Sequence, residues 1–476
     1  MRTLSSSLPT KRETLLVLIL LACFTVLFSD VGIRESLSIS FIPGMTLKQH
    51  PFDKDLDRAR EPWRTHISWT SEGGLWLPQT SIVIHAPGWT IFDNLYVMNG
   101  TVFVVTDVPQ TIPPRERLTS TGIEIKGDPE LVAARFPTDR ELRIISPEEA
   151  IRLFGSGATL IDGVTWMVND PPQFIRHYYH WVAELLFGFW RTYSSLDLSI
   201  PDSGISALSA PHRIWFVHLD ADHWRDPARL NQWVLRSAFP SLTADYSDDW
   251  IERAELGRPF LLDRVLLSDR AASMQGKHFD EAGRPLAEAC LLPGSFHWWS
   301  PIARNAMQFA GLIDEPSISA TSPPVITYIS RQVRGGRMLV PEHHDHLVEE
   351  LYALRDRYGY EVNVVTMERL SREEQIKLAA RTTIMMGVHG NGMTSLVWMK
   401  PSPHTTVMEF YIPGGFTSDY QYTAYALGIT YYGWWGNVSF TSDNLPRRAY
   451  PEGFHGKQIP IDGTAVAKVC LAQLQA

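Results

Sequence analysis

Two segments of the sequence combine residue types that can carry out chemistry. The first is Gly387-Val-His-Gly-Asn-Gly-Met-Thr394, which follows a short apolar stretch and precedes a predicted helix. Its glycines let the backbone approach a ligand closely, and a helix that starts beside it directs free N–H groups at an anion. We therefore interpret this segment as an anion-binding loop in which His389 and Thr394 add donors. A tight strand-to-helix turn with a buried histidine is the alternative.

An arginine that ends an earlier strand is the natural partner of this loop. Residues 325–330 form a predicted strand, and Arg331 follows it directly. Because the carboxyl ends of parallel strands meet at one edge of a sheet, we expect Arg331 to lie near His389. A guanidinium there can bind a diphosphate through two hydrogen bonds. Arg334 and Arg337, in the Gly-rich segment that follows, are interpreted as exposed loop residues.

The same patterns argue against other partners. No Gly-Lys-Ser/Thr follows the glycines of the loop, so a Walker-type ATPase is not indicated. No G-x-G-x-x-G motif follows the first strand, which argues against hydride transfer with a dinucleotide. The net charge of −9 argues against nucleic acid as a partner, because binding to a phosphate backbone needs a basic face.

The second chemical segment is Arg176-His-Tyr-Tyr-His-Trp-Val-Ala-Glu184, inside a helix predicted over residues 173–195. The spacing of His177, His180 and Glu184 places them on one helix face. A glutamate four residues after a histidine suits acid–base catalysis, with Glu184 as base and His180 as an orienting or protonating group. A metal site with three visible ligands and a core helix with a satisfied His–Glu pair are the alternatives.

The N-terminus has the pattern of a membrane anchor. Lys11 and Arg12 precede an uncharged apolar stretch over residues 14–28, which is near the lower length limit for a membrane-spanning helix. Basic flanking residues stay on the cytoplasmic side, so the rest of the chain is expected in the lumen of the endoplasmic reticulum or Golgi. A cleaved signal peptide is the alternative.

Cysteines and sequons bear on the same compartment. Cys23 lies in the apolar stretch, so Cys290 and Cys470 are left as the two that an oxidising lumen could link. The segments Asn99-Gly-Thr and Asn437-Val-Ser match the N-glycosylation sequon. They predict carbohydrate at Asn99 and Asn437.

The chain length of 476 residues predicts more than one domain. In the last third, strands predicted at residues 325–330, 361–365, 383–387 and 405–410 alternate with helical patterns. This alternation predicts a doubly wound, Rossmann-like sheet. A middle region with further strand and helix candidates indicates a second parallel sheet.

Three motifs together resemble glycosyltransferase family 61, which contains plant xylosyl- and arabinosyltransferases and luminal O-GlcNAc transferases. They are His180-Trp-Val-Ala-Glu184, Tyr328-Ile-Ser-Arg331 and the 387–394 loop, in the order and spacing of the family. The resemblance covers roughly residues 150 to 440. It implies a GT-B-like α/β fold in which two Rossmann-like domains face a cleft. It also implies inverting transfer from a UDP-sugar, with no cofactor and no bound metal.

The resemblance further implies roles for individual residues. His180 and Glu184 are the implied catalytic residues, across the cleft near the acceptor. Met367 and Glu368 follow the strand at residues 361–365 and are expected to border the nucleoside. The residues implied in holding the nucleotide-sugar phosphates are Arg331, His389, Gly390, Asn391, Gly392 and Thr394.

Two positions depart from the pattern of the family. His177 stands where asparagine is frequent, and Asn391 stands where alanine is common. Because these residues are part of the two site segments, the departures leave the identity of the donor sugar open.

We therefore expect a membrane-anchored inverting glycosyltransferase that transfers a pentose or GlcNAc from a UDP-sugar to a glycan or glycoprotein in the secretory pathway. A non-catalytic glycan-binding protein on the same fold is the alternative, and transfer of another group, such as sulfate, is a third. The predicted divisions are a cytoplasmic tail (1–12), a transmembrane signal anchor (13–33), a stem (34–75), an N-terminal β-rich, Rossmann-like acceptor domain (76–315) and a C-terminal Rossmann-like nucleotide-sugar domain (316–476).

Overall fold

The computed structural model describes residues 65–70, 77–312, 323–333 and 336–475. The predicted cytoplasmic tail and signal anchor, with most of the predicted stem, lie outside these residues. Within these residues, no helix combines the length and the apolar character that crossing a membrane requires. The anchor at residues 13–33 therefore stays a prediction.

The first half of the described chain builds a nine-stranded mixed sheet. Its strands are β1 (His66–Ser68), β2 (Ser81–Ala86), β3 (Trp89–Met98), β4 (Thr101–Val105), β5 (Leu142–Ile145), β6 (Gly157–Val168), β7 (Arg213–Phe216), β8 (Thr243–Asp245) and β9 (Phe260–Ser268). The main order is β5-β4-β3-β9-β6-β7-β8, with β1 beside β6 and β2 beside β3. Strands β9, β6, β7 and β8 are parallel, whereas β3 is antiparallel to both β4 and β9. The predicted Rossmann-like character therefore applies to one side of this sheet.

Short helices connect these strands and cover the sheet. They are α1 (Arg115–Leu118), α2 (Pro129–Ala134), α3 (Pro147–Phe154), α4 (Pro172–Ile175), α5 (Phe187–Ser194), α6 (Leu230–Ala238), α7 (Ser247–Glu255), α8 (Arg270–Ser273), α9 (Lys277–Ala282), α10 (Ala287–Cys290) and α11 (Ser300–Phe309). A 3-10 helix at Pro109–Thr111 and a π-helix at His180–Leu186 complete the set in this half.

The second half of the described chain builds a six-stranded sheet. Its strands are β10 (Val325–Ile329), β11 (Glu361–Val365), β12 (Ile384–Val388), β13 (Thr406–Tyr411), β14 (Thr430–Trp435) and β15 (Val438–Thr441). The order is β11-β10-β12-β13-β14-β15, and all strands but β15 are parallel. From β10 the chain adds β11 on one side, and the following strands are added on the other side, beginning with β12. The switch point of the sheet therefore lies between β10 and β12. In doubly wound sheets, ligands bind outside the carboxyl ends of the strands at this switch point.

Four α-helices connect or flank this sheet in the described residues: α12 (Pro341–Tyr358), α13 (Arg372–Arg381), α14 (Asp419–Ala426) and α15 (Gly463–Gln475). Helix α13 begins with the predicted capping box, since Glu374 N donates to Ser371 Oγ (3.1 Å) and Ser371 N donates to Glu374 Oε2 (2.7 Å). Two 3-10 helices, Met367–Arg369 and Asn391–Trp398, follow β11 and β12. The α/β fold built on two sheets is confirmed.

One hydrophobic core extends across both sheets. It includes Trp166 and Trp181 from the first half and Met393 and Tyr431 from the second. Tryptophan N–H groups also cross the boundary, because Trp398 Nε1 donates to the Tyr178 hydroxyl (3.1 Å). The two halves therefore pack through a buried, hydrogen-bonded contact.

The two cysteines of the described residues do not pair with each other. Cys290 and Cys470 are both free thiols. Cys470 is fully buried, and its Sγ lies 3.9 Å from the Met408 sulfur in the core of the second sheet. The disulfide that the sequence left open is therefore absent.

Candidate functional site

The predicted catalytic helix contains a π-helical segment. The chain forms α4, then a π-helix at His180–Leu186, then α5, instead of one continuous α-helix over residues 173–195. A π-helical turn is wider than an α-helical one and is frequent at functional sites. Here His180 Nδ1 lies 2.6 Å from Glu184 Oε2, and the His177 and His180 rings lie 5.0 Å apart. The predicted grouping of these three residues is therefore present in the structure.

Glu184 is a buried carboxylate surrounded by cations. Only 1% of its side chain is exposed, and its Oε2 accepts from Arg270 Nη1 at 2.6 Å. Its Oε1 accepts from Arg284 Nη1 at 3.2 Å. Burial by itself would raise the pKa of Glu184, but the charges of Arg270, His180 and Arg284 outweigh burial and hold the pKa below its usual range. Glu184 is therefore an anion at neutral pH with both oxygens occupied.

The carboxyl ends of β6 and β9 supply the cation nearest to Glu184. Arg270 starts α8 directly after β9, and Asp170 follows β6. The Asp170 carboxylate accepts from Arg270 N (2.8 Å) and from Arg270 Nε (3.4 Å), which aims the guanidinium at Glu184. Burial raises the pKa of Asp170 to about 6, against the opposing charge of Arg270. Both residues act through Glu184, so we class them as positioning residues.

The second half contributes the predicted anion-binding loop at the switch point. Arg331 Nη1 donates to the carbonyl of His389 at 3.3 Å, so the predicted proximity of these two residues is present. A Cβ atom at Gly390 would stand 1.6 Å from Arg331 Nη1, so only glycine leaves room for the guanidinium. At Gly392, a Cβ atom would press on Ile329 Cγ2 at 3.1 Å and on Met367 Cγ at 3.2 Å. The loop glycines are therefore needed for close contacts with neighbouring strands.

The remaining predicted donor-site residues surround this loop in different ways. Met367 is buried beside Gly392, and Glu368 is exposed next to it in the 3-10 helix after β11. Asn391 is exposed and starts the 3-10 helix that replaces the predicted helix near residue 393. Thr394 is fully buried, and its hydroxyl donates to Asn391 Oδ1 at 3.2 Å. The Thr394 hydroxyl therefore holds the loop together from inside.

His389 lies between two carboxylates that the sequence did not point to. Its Nδ1 lies 2.5 Å from Glu409 Oε1, and its Nε2 lies 4.0 Å from Asp419 Oδ2. Glu409 is fully buried in β13, and its Oε2 accepts from the Tyr431 hydroxyl at 2.8 Å. Glu409 stands in an otherwise apolar strand of the sequence, and this position could have indicated a polar partner, because a buried charge requires one.

A single arginine connects the two halves of the site. Arg284 contacts Glu184 on one side and forms an ion pair with Asp419, the first residue of α14, on the other. The Tyr179 hydroxyl also donates to the Asp419 carbonyl at 2.9 Å. His180, Glu184, Arg284, Asp419 and His389 thus form a continuous series of contacts. Arg284 carried no sequence signal, because Glu184 and Asp419 lie 100 and 135 residues from it along the chain.

Both predicted glycosylation sites occupy exposed hairpin turns. Asn99 lies between β3 and β4, where Met98 pairs with Thr101, and adopts a φ of 53°. Asn437 lies between β14 and β15, where Trp435 pairs with Val438. Both asparagines are exposed, so their side chains are accessible for modification.

The predicted ligands of a metal are not gathered in a metal-binding arrangement. Over the described ranges, no group of three or more His, Cys, Asp or Glu side chains could hold a metal ion. In the 177–184 segment, the partners of Glu184 are His180, Arg270 and Arg284. The metal independence of the reaction stays a prediction.

Comparison with protein families gives one match for this region. The family model Glycosyltransferase 61 matches residues 178–408, which include His180, Glu184, Arg331 and His389. No curated protein matches the chain. The match agrees with the resemblance of the three sequence motifs. Over residues 178–408, which contribute to both sides of the site, the chain is similar to glycosyltransferase family 61.

Proposed function

We propose that this protein is an inverting glycosyltransferase that transfers a sugar from a UDP-sugar to a hydroxyl group of a glycan or glycoprotein. The observation that supports this function is the contact series from His180 to His389. It joins a histidine–carboxylate pair on the first sheet to the anion-binding loop at the switch point of the second. The proposal includes a GT-B-like arrangement, with the acceptor on the first half and the donor on the second.

On the acceptor side, the geometry favours His180 over Glu184 as the base. Both Glu184 oxygens are occupied, and the low pKa of its carboxyl group makes it a weak proton acceptor. With Glu184 as acceptor, His180 Nδ1 carries a proton and Nε2 presents a lone pair. The acceptor hydroxyl gives its proton to Nε2 as its oxygen bonds to the anomeric carbon. The bond from that carbon to the β-phosphate oxygen breaks, and UDP leaves with the electron pair.

On the donor side, cations and N–H groups stabilise the charge that develops on the departing UDP. Arg331 stands at the carboxyl end of β10, against the 387–394 loop. The 3-10 helix that begins at Asn391 starts within the same loop, and the free N–H groups of its first turn would add donors. His389 is held at Nδ1 by Glu409, and with a proton also on Nε2, the nitrogen that lies 4.0 Å from Asp419, it would add a ring donor. Preorganised donors of this kind stabilise a transition state more than a ground state.

The compartment and the transferred group are part of the same proposal. A signal anchor at residues 13–33 would place the described residues in the lumen of the endoplasmic reticulum or Golgi. Carbohydrate at Asn99 and Asn437 would be consistent with that location. A pentose or GlcNAc is the sugar expected for a relative of family 61. A mobility shift after glycosidase treatment, lost in Asn99→Gln and Asn437→Gln, tests the location.

A donor screen tests the activity. The full chain is incubated with UDP-xylose, UDP-GlcNAc and other UDP-sugars, with and without EDTA, and released UDP is measured. We expect turnover with one donor, no dependence on EDTA, and loss of turnover with retained UDP binding in Glu184→Gln. UDP binding without turnover of any donor supports the alternative, a non-catalytic glycan-binding protein. The intact contact between Arg331 and the loop favours the enzyme.

A further inference from the structure

Arg337 occupies a different place from the exposed loop position expected from the sequence. Its guanidinium carbon stands 5.9 Å from the centre of the Phe454 ring. Phe454 is buried and lies 5.7 Å, ring to ring, from His389. One aromatic ring therefore separates Arg337 from the histidine of the anion-binding loop.

Backbone pairing holds Arg337 in this place. The next residue, Met338, donates from its N–H to the Gly456 carbonyl (3.3 Å) and accepts from Ile459 N (3.1 Å). Leu339 and Ile459 form a parallel bridge, and both are buried. The segment that carries Arg337 is thus joined to the segment that carries Phe454, and both lie against the second sheet.

The charge of Arg337 acts on groups from both halves of the protein. In the second half, it contributes, after burial, to the lowered pKa of His455. In the first half, it is the smallest of the contributions to the lowered pKa of His177, after burial and His180. The Arg337 guanidinium is therefore within electrostatic reach of one histidine in each half. In the described part of the chain, no carboxylate forms an ion pair with Arg337.

We propose that Arg337 is a second diphosphate-binding arginine of the 387–394 loop, in addition to Arg331. This inference rests on the proposed donor, a nucleoside diphosphate sugar. Arg331 approaches the 387–394 loop from the β10 side, whereas Arg337 stands beyond His389 on the Phe454 side. A diphosphate bound at His389 would then have two guanidinium groups near it, each able to donate two hydrogen bonds. Arg337 and His389 lie within residues 178–408, whereas Phe454, the ring between them, lies outside the region that the family model matches.

Calorimetry with UDP, UMP and uridine tests this assignment on the full chain. We expect Arg337→Ala to weaken UDP binding roughly ten- to hundredfold, as for loss of a charge-assisted hydrogen bond. Binding of uridine should not change, and binding of UMP should change less than that of UDP. The UDP affinity of Arg337→Lys should lie between those of Arg337→Ala and the unaltered protein, because lysine keeps the charge but lacks the planar, two-pronged guanidinium. If Arg337→Ala fails to fold, Arg337→Lys still tests whether Arg337 binds the diphosphate.

Arg357 offers a matched control. Its guanidinium carbon stands 5.4 Å from the Tyr358 ring, so it is also an arginine over an aromatic ring of the second half, but it lies at the end of α12 on the surface. Arg357→Ala should bind UDP as the unaltered protein does. Equal UDP affinity for Arg337→Ala and the unaltered protein would overturn the role of Arg337 and leave the proposed function standing. Absence of UDP binding by the unaltered protein would overturn both.

Discussion

The two site histidines share one arrangement but differ in their surroundings. In each, Nδ1 contacts a buried glutamate, Glu184 for His180 and Glu409 for His389. Glu184 also contacts two arginines, whereas Glu409 accepts from the neutral hydroxyl of Tyr431. His389 has a further carboxylate, Asp419, 4.0 Å from Nε2. The same pair of residue types is thus placed in a cation-rich environment on one sheet and a carboxylate-rich one on the other.

This difference suits the two proposed roles. In the part of the chain that the structure describes, His180 Nε2 has no hydrogen-bond partner, so it can accept a proton from a substrate. His389 has a carboxylate near each ring nitrogen, which suits an N–H on both. Its Nε2 lies 4.0 Å from Asp419, beyond hydrogen-bond distance, so an N–H there can be donated to a bound anion. The surroundings of each histidine, more than the histidine–glutamate pair itself, are therefore what distinguishes the two proposed roles.

Removal of the proposed base should have the largest effect on activity. We expect His180→Ala to lower kcat by roughly 10²- to 10⁴-fold, the usual contribution of a general base. UDP affinity should be unchanged, because Arg331 and His389 remain. The control is His223→Ala, which removes an exposed histidine 2.7 Å from Asp220 in the same half of the protein. A kcat for His180→Ala within twofold of this control would remove His180 from the base role.

The two buried glutamates should differ in their contribution to stability. Glu184→Gln leaves Arg270 and Arg284 buried beside a neutral amide, and losing one partner of a buried ion pair costs roughly 3–5 kcal/mol. Glu409→Gln keeps one acceptor oxygen and turns an NH2 group toward the other partner, Tyr431 or His389, for which a loss of about 1–3 kcal/mol is expected. Denaturant unfolding of both variants measures the two losses in the free energy of unfolding. Equal losses would contradict the distinction between the two environments.

A methyl group added to the 387–394 loop should weaken UDP binding and leave the His180 side of the site unchanged. Gly390→Ala places its Cβ 1.6 Å from Arg331 Nη1, so the guanidinium must move. We expect UDP affinity to fall roughly tenfold or more, the equivalent of about 1.4 kcal/mol. The control is Gly127→Ala, where a Cβ atom meets nothing within 4 Å. Unchanged UDP binding in Gly390→Ala would show that the position of Arg331 does not matter for the nucleotide.

The smallest effect is expected at His177, through the pH dependence of stability. Burial, and then the charge of His180, lowers the pKa of His177 to about 4 from an ordinary value of 6.5. Between these values the unfolded chain binds the proton more readily, so stability falls as the pH drops from 6.5 to 4. His177→Asn should reduce the difference in Tm between pH 7 and pH 5. An unaltered difference would mean that His177 does not contribute to acid destabilisation.

The sequence was sufficient for the features that depend on neighbours along the chain. The alternation of apolar strands and helices in the last third specified a parallel sheet, because a helical crossover between two strands brings the chain back to run in the same direction, with a right-handed turn. The capping box at Ser371 and Glu374 was readable because its partners are three residues apart. The proximity of Arg331 to the 387–394 loop followed from the rule for strand ends. The chain also carried the family motifs, but their role as an assembled site stays a proposal.

The tertiary structure decided the features that depend on distant residues. It selected a π-helix over a continuous α-helix at His180–Leu186, where packing against the core outweighs local propensity. It brought Arg284 to Glu184 and Asp419, and Phe454 between Arg337 and His389. No local pattern encodes these contacts, since a buried charge is compensated by whichever partner the fold brings near it. The chain by itself therefore determined which residues could do chemistry, and the fold determined the charge around each of them.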